Sequence, residues 1–319
     1  MPVTINRPMH KIGDNLKKPV VVEKEFNPML AAEGVLGKIK YPAVVLHKHN
    51  GVRGLNQRGQ LVARSLKPIP NKHTRSLYSG KALTNFDGEL VVGDPFDEEV
   101  FAASTSGVMT VTGAPDVNWF LFDFYHPTAP FIDRLHMLAH AVAEAKDAGH
   151  QRIECIPWQV IHSDDELVDC SNHALAMGLE GLVIRDPNGT YKEGRSTAGE
   201  GGLMRYCPWF RSEAIILAIH EGEVNLNPSK VNELGYLKKS SHRDNKVGSG
   251  RAGAFTVKDC TTGLEFNIPV PTVKFQEEVW SNQGKFIGLM IKYKFKPPVK
   301  LGGKPRFPQY EGIRSPLDM

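Results

Sequence analysis

The hydrophobic pattern predicts a first region in which buried strands alternate with amphipathic helices. Short β-branched and apolar runs, bounded by Pro, Gly or charged residues, are typical of buried strands. Such runs occupy residues 41–48, 86–92, 117–124, 181–185 and 213–219. Helical spacing predicts a helix over 130–147 with a buried face of Phe131, Leu135, Leu138, Val142 and Ala145. Ser163 with Glu166 forms a capping-box pattern, which predicts a second helix that ends near Gly178.

The pattern changes after His220 and predicts a second, all-β region. Residues 225–253 are polar and predict a long exposed loop. Two apolar runs, Phe255–Val257 and Leu264–Ile268, flank a Thr-Thr-Gly segment and predict a hairpin. Residues 291–296 alternate strictly and predict a half-buried strand whose outer face bears Lys292, Lys294 and Lys296. Short strands with a cationic surface favour an OB-like barrel from about residue 210 to the end.

Composition places the chain among globular proteins with room for two domains. Of its 319 residues, 41% are hydrophobic and 23% are charged. The longest apolar run, Ala214–Ile219, is far shorter than the roughly 20 residues of a membrane span, and no apolar signal segment begins the chain. The cysteines form no CxxC pair, which excludes a zinc ribbon and indicates a reducing cytoplasm; they are Cys155, Cys170, Cys207 and Cys260.

Positive charge is concentrated toward the C-terminus. Residues 235–319 contain 15 Lys and Arg against 7 Asp and Glu, whereas the whole chain has a net charge of +4. Such a basic region suggests a polyanion partner of the nucleic-acid type. A merely solvated surface explains the charge equally well.

Lys48 is the first candidate for chemistry. It ends the predicted strand 41–48 and stands shortly before Gly51. Partial desolvation there would lower the pKa of the amine and make it nucleophilic, and Gly51 would let the backbone approach a ligand. Taken alone, a lysine before a glycine turn is more simply a surface residue.

Further charged and aromatic segments follow Lys48 in a fixed order. Carboxylates lie on predicted strands in Phe86-Asp87-Gly88-Glu89, Phe122-Asp123 and Glu180-Gly181. Arg205 follows, and the chain closes with the segment PRFPQYEGIR. This order resembles that of the covalent nucleotidyltransferases, which are DNA ligases, RNA ligases and mRNA capping enzymes. It is most similar to the small two-domain ATP-dependent DNA ligases of bacteriophages.

The resemblance covers roughly residues 27–314. Its other segments are Asn27-Pro28-Met29-Leu30-Ala31 and the residues at 64–71, 104–109, 191–197 and 305–314. It implies an α+β fold. A nucleotidyltransferase (adenylation) domain of ATP-grasp-like antiparallel sheets with helices would span residues 1–209, and an OB-fold β-barrel would span residues 210–319.

The resemblance also implies a reaction that seals 5′-phosphate/3′-hydroxyl nicks in duplex DNA. Lys48 takes AMP from ATP, the AMP passes to the 5′-phosphate, and the 3′-hydroxyl then displaces it. Cationic side chains and a metal ion, Mg²⁺ or Mn²⁺, suit this phosphoryl chemistry. The implied partner is nicked DNA, bound by a monomer in the cytoplasm, with no membrane partner.

Each motif position has an implied role. Glu89 would hold the ribose or a metal, with Asp87 as a helper, and Glu180 would be the main metal carboxylate. Phe122 would stack on adenine, although a core aromatic is the simpler reading of that residue alone. Arg205 would bind the AMP phosphate and Arg53 the 5′-phosphate of the nick. Other cations would orient pyrophosphate (Lys304, Arg306 and Arg314) or bind DNA (Arg64, Arg195, Lys292, Lys294 and Lys296).

Three positions depart from the family pattern: Asn50, Arg205 and Cys207. Asn50 replaces the Asp that DNA ligases usually have, and Cys207 replaces the second lysine of a Lys-x-Lys motif that begins here with Arg205. Arg211 is a neighbour that would restore the missing charge. An RNA ligase, or a degenerate protein that only binds nicks, is therefore kept as an alternative to the DNA ligase.

Overall fold

The computed structural model describes residues 26–97, 99–231, 237–240, 242–296 and 302–314. These residues form three five-stranded sheets and one two-stranded ribbon. We name the sheets I, II and III in the order in which they are described below. None of the described helices is long and apolar enough to cross a membrane.

Sheet I has the strand order β4-β3-β5-β6-β7. Its strands are β3 (Val52–Gln57), β4 (Gln60–Ala63), β5 (Phe86–Val92), β6 (Val117–Phe124) and β7 (Ile153–Cys155). The helices of this region are α1 (Lys72–Tyr78), α2 (Val100–Met109) and α3 (Phe131–Asp147). Alternate residues of β6 point inward, so Trp119 and Leu121 are fully buried with Leu138 of α3.

Sheet II has the strand order β1-β10-β9-β2-β8. Its strands are β1 (Ala32–Glu33), β2 (Ala43–Lys48), β8 (Trp158–Ile161), β9 (Gly181–Arg185) and β10 (Met204–Tyr206). Helix α4 (Asp164–Ala176) packs Leu167 and Ala174 with Val45 of β2. The predicted cap is confirmed, because the Ser163 hydroxyl accepts a 3.2 Å hydrogen bond from the Glu166 backbone N–H.

Sheet III has the strand order β15-β14-β11-β16-β17 and is antiparallel throughout. Its strands are β11 (Phe210–Asn225), β14 (Lys246–Asp259), β15 (Glu265–Pro269), β16 (Met290–Lys296) and β17 (Arg306–Ile313). Helices α5 (Val273–Ser281) and α6 (Gln283–Phe286) lie between β15 and β16 in the chain. The core of this sheet, which includes Ile216, Phe255 and Tyr293, forms a hydrophobic cluster of its own.

The prediction of a loop over residues 225–253 is wrong for the described part of that segment. It contains β12 (Ser229–Val231), β13 (Leu237–Lys239) and the first half of β14. We call β12 and β13, which pair with each other, the ribbon. The ribbon strands are exposed on both faces, so they lack the apolar alternation by which a strand is detected in a sequence.

Candidate active site

Lys48 lies where sheets I and II meet. It is the last residue of β2, and the chain turns through His49, Asn50 and Gly51 directly into β3 of the other sheet. Only glycine fits at position 51, because a Cβ there would lie 2.9 Å from the Cγ atom of Glu89 and even closer to the Leu90 backbone. The tight turn therefore places Lys48 close to the carboxylate of β5.

Two carboxylates determine the charge of Lys48. Its ammonium group forms an ion pair with Glu180, whose backbone N–H donates to the Lys48 carbonyl at 3.2 Å. Burial alone would lower the pKa of Lys48, but Glu180 and then Glu89 outweigh it, so the pKa is raised above its usual value. The expectation of a lowered pKa is thus wrong for the free protein, because desolvation is not the only influence on the amine.

The second carboxylate, Glu89, is one whose charged form burial disfavours. Burial raises its pKa to about 7, and the opposing effects of Lys48 and Arg53 are smaller. The carboxylate is therefore only partly ionised at neutral pH. An additional cation beside it would stabilise the ionised form.

The turn after Lys48 contains two buried polar residues. The His49 ring stacks on Phe120 with centroids 4.7 Å apart, and burial lowers the pKa of His49 to about 4. Within the described residues, neither Nδ1 of His49 nor Oδ1 of Asn50 has a hydrogen-bond partner. Asn50 thus presents an unsatisfied acceptor two residues from Lys48.

Arg53 and Phe122 lie together beside this turn. Arg53 donates to both oxygens of Asp87, at 2.9 and 2.6 Å, and to the Met29 carbonyl at 2.7 Å. Its guanidinium carbon is 5.5 Å from the centroid of the half-buried Phe122 ring. Arg53 is therefore committed to Asp87 in the free protein.

A buried ionic network next to this pair is absent from the sequence predictions. Asp123 accepts from Arg134 at 2.8 Å and pairs with Arg185 at 2.9 Å, and all three side chains are at most 2% exposed. Burial alone would raise the pKa of Asp123, but the two arginines lower it. The strand parity of β6 is a signal for this network, because Asp123 continues the inward positions of Trp119 and Leu121.

Three further cations, Arg205 of β10, Lys296 of β16 and Arg306 of β17, reach the same region. Arg306 of β17 lies 3.8 Å from Glu180, on the oxygen that Lys48 leaves free. Arg205 donates to Glu33 at 2.9 Å, and Lys296 of β16 lies 3.4 Å from the other Glu33 oxygen. Lys48, Glu89, Glu180 and Arg306 thus form one cluster, which Arg205 and Lys296 border.

The remaining predicted residues lie elsewhere. Arg64 and Lys304 are exposed, and Arg195 is exposed while donating to the Ala31 carbonyl at 2.9 Å. Arg314 pairs with Glu213 at 3.2 Å within sheet III. Lys292 and Lys294 are half-buried on β16. The structure does not bring these six cations to Lys48.

A cavity of about 430 Å³ lies on the other face of sheet II. It is lined by His47, Trp158, Cys170 and His173, among others. Because side chains alternate along β2, His47 points away from the face of Lys48. The cavity contains none of the predicted site residues.

Comparison with known proteins identifies the family. A model of the ATP dependent DNA ligase domain matches residues 28–199, which is more than half of the chain. The chain therefore belongs to the ATP-dependent DNA ligase family, as its motif order predicts. The match includes Lys48, Glu89, Phe122 and Glu180.

Individual relatives agree with this assignment. A DNA ligase of Fowlpox virus (strain NVSL) is 26% identical over 216 residues, which cover 57% of this chain and 36% of the viral protein. The chain thus matches little more than a third of that relative's length. The crystal structure of Chlorella virus DNA ligase-adenylate is 27% identical with a TM-score of 0.51, covering 90% of this chain and 99% of that one. A Lig E DNA ligase structure, 20% identical, has a TM-score of 0.62, covers 89% of this chain and 100% of its own, and shares the fold.

Proposed function

We propose that this protein seals nicks in duplex DNA by an ATP-dependent reaction that begins on Lys48. The observation that carries the proposal is the setting of Lys48, which ends β2, pairs with Glu180 and lies near Glu89 within the segment that matches the ligase family. The similar Chlorella virus structure is a ligase-adenylate, the state that an AMP-bearing lysine would represent.

The proposed reaction has three balanced steps. The neutral amine of Lys48 attacks the α-phosphorus of ATP; a P–N bond forms, the bond to pyrophosphate breaks and the amine releases a proton. A 5′-phosphate oxygen of the nick then attacks the same phosphorus, the P–N bond breaks and Lys48 regains a proton. Finally the 3′-hydroxyl loses its proton as it attacks the 5′-phosphorus, a phosphodiester bond forms, and the P–O bond to AMP breaks so that AMP leaves.

The carboxylates around Lys48 control when the first step begins. Because Glu180 raises the pKa of Lys48, the free protein keeps its amine protonated and unreactive. Arg306 already contacts the second oxygen of Glu180. Further positive charge near Glu180 would weaken its attraction for the ammonium group and favour the neutral amine that attacks ATP.

Glu180 and Glu89 fit a magnesium or manganese ion. Carboxylate oxygens are the donors that these ions prefer, and the pKa of about 7 at Glu89 indicates a carboxylate whose charge its neighbours leave incompletely balanced. Magnesium usually keeps several waters and binds through one or two carboxylates together with substrate phosphates, so two carboxylates would be enough here. When bound, such an ion supplies positive charge to the transferring phosphoryl group.

Other residues would bind the nucleotide. We assign the adenine to the half-buried Phe122 ring and the ribose to Glu89 as an alternative to the metal role. Arg205 would hold the AMP phosphate, since its guanidinium is half exposed beside Glu33. Arg306 would orient pyrophosphate together with Lys304 and Arg314, but Arg314 must first leave its pair with Glu213.

The DNA interface would combine both parts of the chain. Arg53 would take the 5′-phosphate of the nick in competition with Asp87. Arg64 and Arg195 are exposed and would bind backbone phosphates, as would Lys292 and Lys294 of β16. The ribbon adds exposed cations that suit the same role: Lys230, Lys238 and Lys239.

We propose a two-domain architecture with its boundary between residues 209 and 210. The separate core of sheet III, which contains only residues between 214 and 310, supports this boundary. The finer proposal is an OB-fold barrel, supported by five antiparallel strands whose outer members, β15 and β17, have Cα atoms within 8 Å of each other. Action as a monomer in a reducing cytoplasm is also proposed; the four free thiols suit that compartment.

The test is ligation of a nicked DNA duplex and of the corresponding RNA-strand nick, each with ATP or NAD and Mg²⁺. Sealing of the DNA nick with ATP supports the proposal. Preferential sealing of the RNA nick would favour the RNA ligase alternative, which Asn50 motivates. Nick binding with no sealed product and no covalent AMP adduct would show a degenerate, non-catalytic protein.

A further inference from the structure

The strand register places Cys207 in the same row of sheet II as Lys48. Lys48 pairs with Gly181 across β2 and β9, and β9 continues in register to the end of β10, where Tyr206 pairs with Leu182. A Cβ built on Gly181 would lie 3.1 Å from Sγ and 3.2 Å from Cα of Cys207. Cys207 is therefore two strands from Lys48, about 10 Å by strand spacing, with only a glycine between them.

Cys207 thus occupies the position, on the same face as Lys48, where the family pattern has a lysine. Its side chain is a thiol and supplies no positive charge there. Arg211, the candidate that the sequence suggests, does not fill this position, because it pairs with Glu311 at 3.0 Å within sheet III. Lys296 approaches instead from β16. Its ammonium group contacts the Cys207 carbonyl oxygen and lies 4.0 Å from the Trp209 ring centroid.

Lys294 also lies over the Trp209 ring, at 5.2 Å, but Lys296 is the one that reaches Cys207. Its side chain is only 12% exposed, because sheet III packs it against the end of β10. Glu33 is its nearest described carboxylate, at 3.4 Å, and the same carboxylate accepts from Arg205 at 2.9 Å. Arg205 and Lys296 therefore share a single anion.

We propose that Lys296 supplies the second phosphate-binding cation of the nucleotide site, in place of the residue missing at Cys207, and that Arg205 and Lys296 grip the phosphate joined to Lys48. This inference rests on the proposed ligase function. Glu33 occupies the position between the two cations in the free protein, and a nucleotide phosphate is the ligand that would replace it. Burial lowers the pKa of Lys296 despite Glu33, so a closer anion would stabilise its ammonium form.

The origin of Lys296 in sheet III has a consequence for binding. Lys296 and Arg306 are register partners on β16 and β17, so one packing event brings both cations to the site. A lysine at position 207 would belong to sheet II and would always be present. Here the phosphate site is complete only while sheet III is packed against sheet II.

The experiment measures self-adenylylation with radiolabelled ATP and Mg²⁺ for the full chain and three variants. Lys296→Gln is expected to raise the KM for ATP by about 10- to 100-fold, the usual effect of losing a charged hydrogen bond. Lys258→Gln is the matched control, because Lys258 is an exposed lysine elsewhere in sheet III, and its KM should stay within about two-fold of the wild type. The double variant Cys207→Lys with Lys296→Gln should recover most of the lost affinity.

Each outcome decides between the claims. An unchanged KM in Lys296→Gln, with adduct formation intact, overturns the role of Lys296 and leaves the ligase function standing. If Lys296→Gln loses ATP affinity and the added Cys207→Lys does not restore it, Lys296 acts by packing between the sheets. That result also overturns the proposal, whether or not the melting temperature falls. Failure of the wild type itself to form an adduct removes both claims.

Discussion

The ion pair between Lys48 and Glu180 makes the reactivity of the amine depend on pH. Glu180→Gln removes the larger of the two carboxylate effects that raise the pKa of Lys48, so the pKa falls. Self-adenylylation requires the neutral amine, so the pH at which the rate becomes half-maximal should be lower in the variant than in the wild type. The maximal rate should fall, because the proposed metal carboxylate is lost. Single-turnover adduct formation from about pH 6 to about pH 10 measures this, and an alkaline midpoint that does not move would contradict it.

Glu89 links the site to the stability of the protein. Its pKa is about 7 in the folded state against 4.5 as the reference value, so stability is lost as pH rises between these values and stays reduced above 7. Glu89→Gln should therefore raise the melting temperature at pH 8, on the order of 3 °C, and have little effect at pH 4. Glu154→Gln, at an exposed position on β7, is the control. An equal rise in melting temperature at pH 4 and pH 8 would show that the effect does not come from ionisation of Glu89.

Asn50 distinguishes the early and late steps of the proposed reaction. Its buried Oδ1 has no described partner, and an aspartate at that position would add a negative charge near Lys48 and the nick. Asn50→Asp should slow adenylylation of Lys48 by favouring its protonated form, but speed sealing of a pre-adenylylated nick by about 10²-fold. Rapid-quench sealing assays on both proteins measure this. Asn50 does not limit the sealing rate if Asn50→Asp seals no faster than the wild type, or if the wild type accumulates no adenylylated DNA.

Elements with one buried face are the ones that the sequence predicts well. Strands β5, β6 and β9 have the predicted bounds, and the buried stripe of α3 is the predicted one. The ribbon is missed because its two strands, Ser229–Val231 and Leu237–Lys239, are defined by hydrogen-bonded pairing and not by burial. They therefore have no apolar pattern in the sequence. The position of Lys48 could be predicted from order and spacing, but its raised pKa could not, because that depends on the distance to Glu180, which directly precedes β9 and is far away in the sequence.

The lysines of β16 differ in their surroundings, although the alternating sequence pattern predicts the same outer face for all three. Lys292, Lys294 and Lys296 are alternate residues of the strand, but the Lys296 ammonium group contacts the Cys207 carbonyl oxygen directly after β10. The binding constant for nicked DNA falls as salt concentration rises. Replacing Lys292 and Lys294 with Ser should therefore make the slope of log binding constant against log salt less steep by up to about 2, near one per phosphate contact. Lys258→Ser with Lys274→Ser is the control for the charge change. Equal slopes for both double variants would show that the β16 lysines do not contact DNA.

In the whole molecule, the proposed chemistry lies at the meeting point of three sheets. Sheet II provides Lys48, sheet I provides Glu89, and sheet III provides Arg306 and Lys296. The sequence indicates which residues take part, but only the packing shows that Arg306 reaches Glu180 while Arg314 stays with Glu213. Movement of sheet III relative to the others would add or remove these cations together, which suits an enzyme that must admit first a nucleotide and then a DNA end.

The central claim is that Lys48 becomes covalently bound to AMP, and peptide mapping of the adduct tests it most directly. The wild-type protein is incubated with labelled ATP and Mg²⁺, digested and analysed by mass spectrometry beside Lys48→Ala, whose folding is checked by its melting curve. We expect one AMP per chain, attached to the peptide that contains Lys48, and no adduct on folded Lys48→Ala. An adduct that persists in Lys48→Ala, or a wild-type label on another lysine, would contradict it.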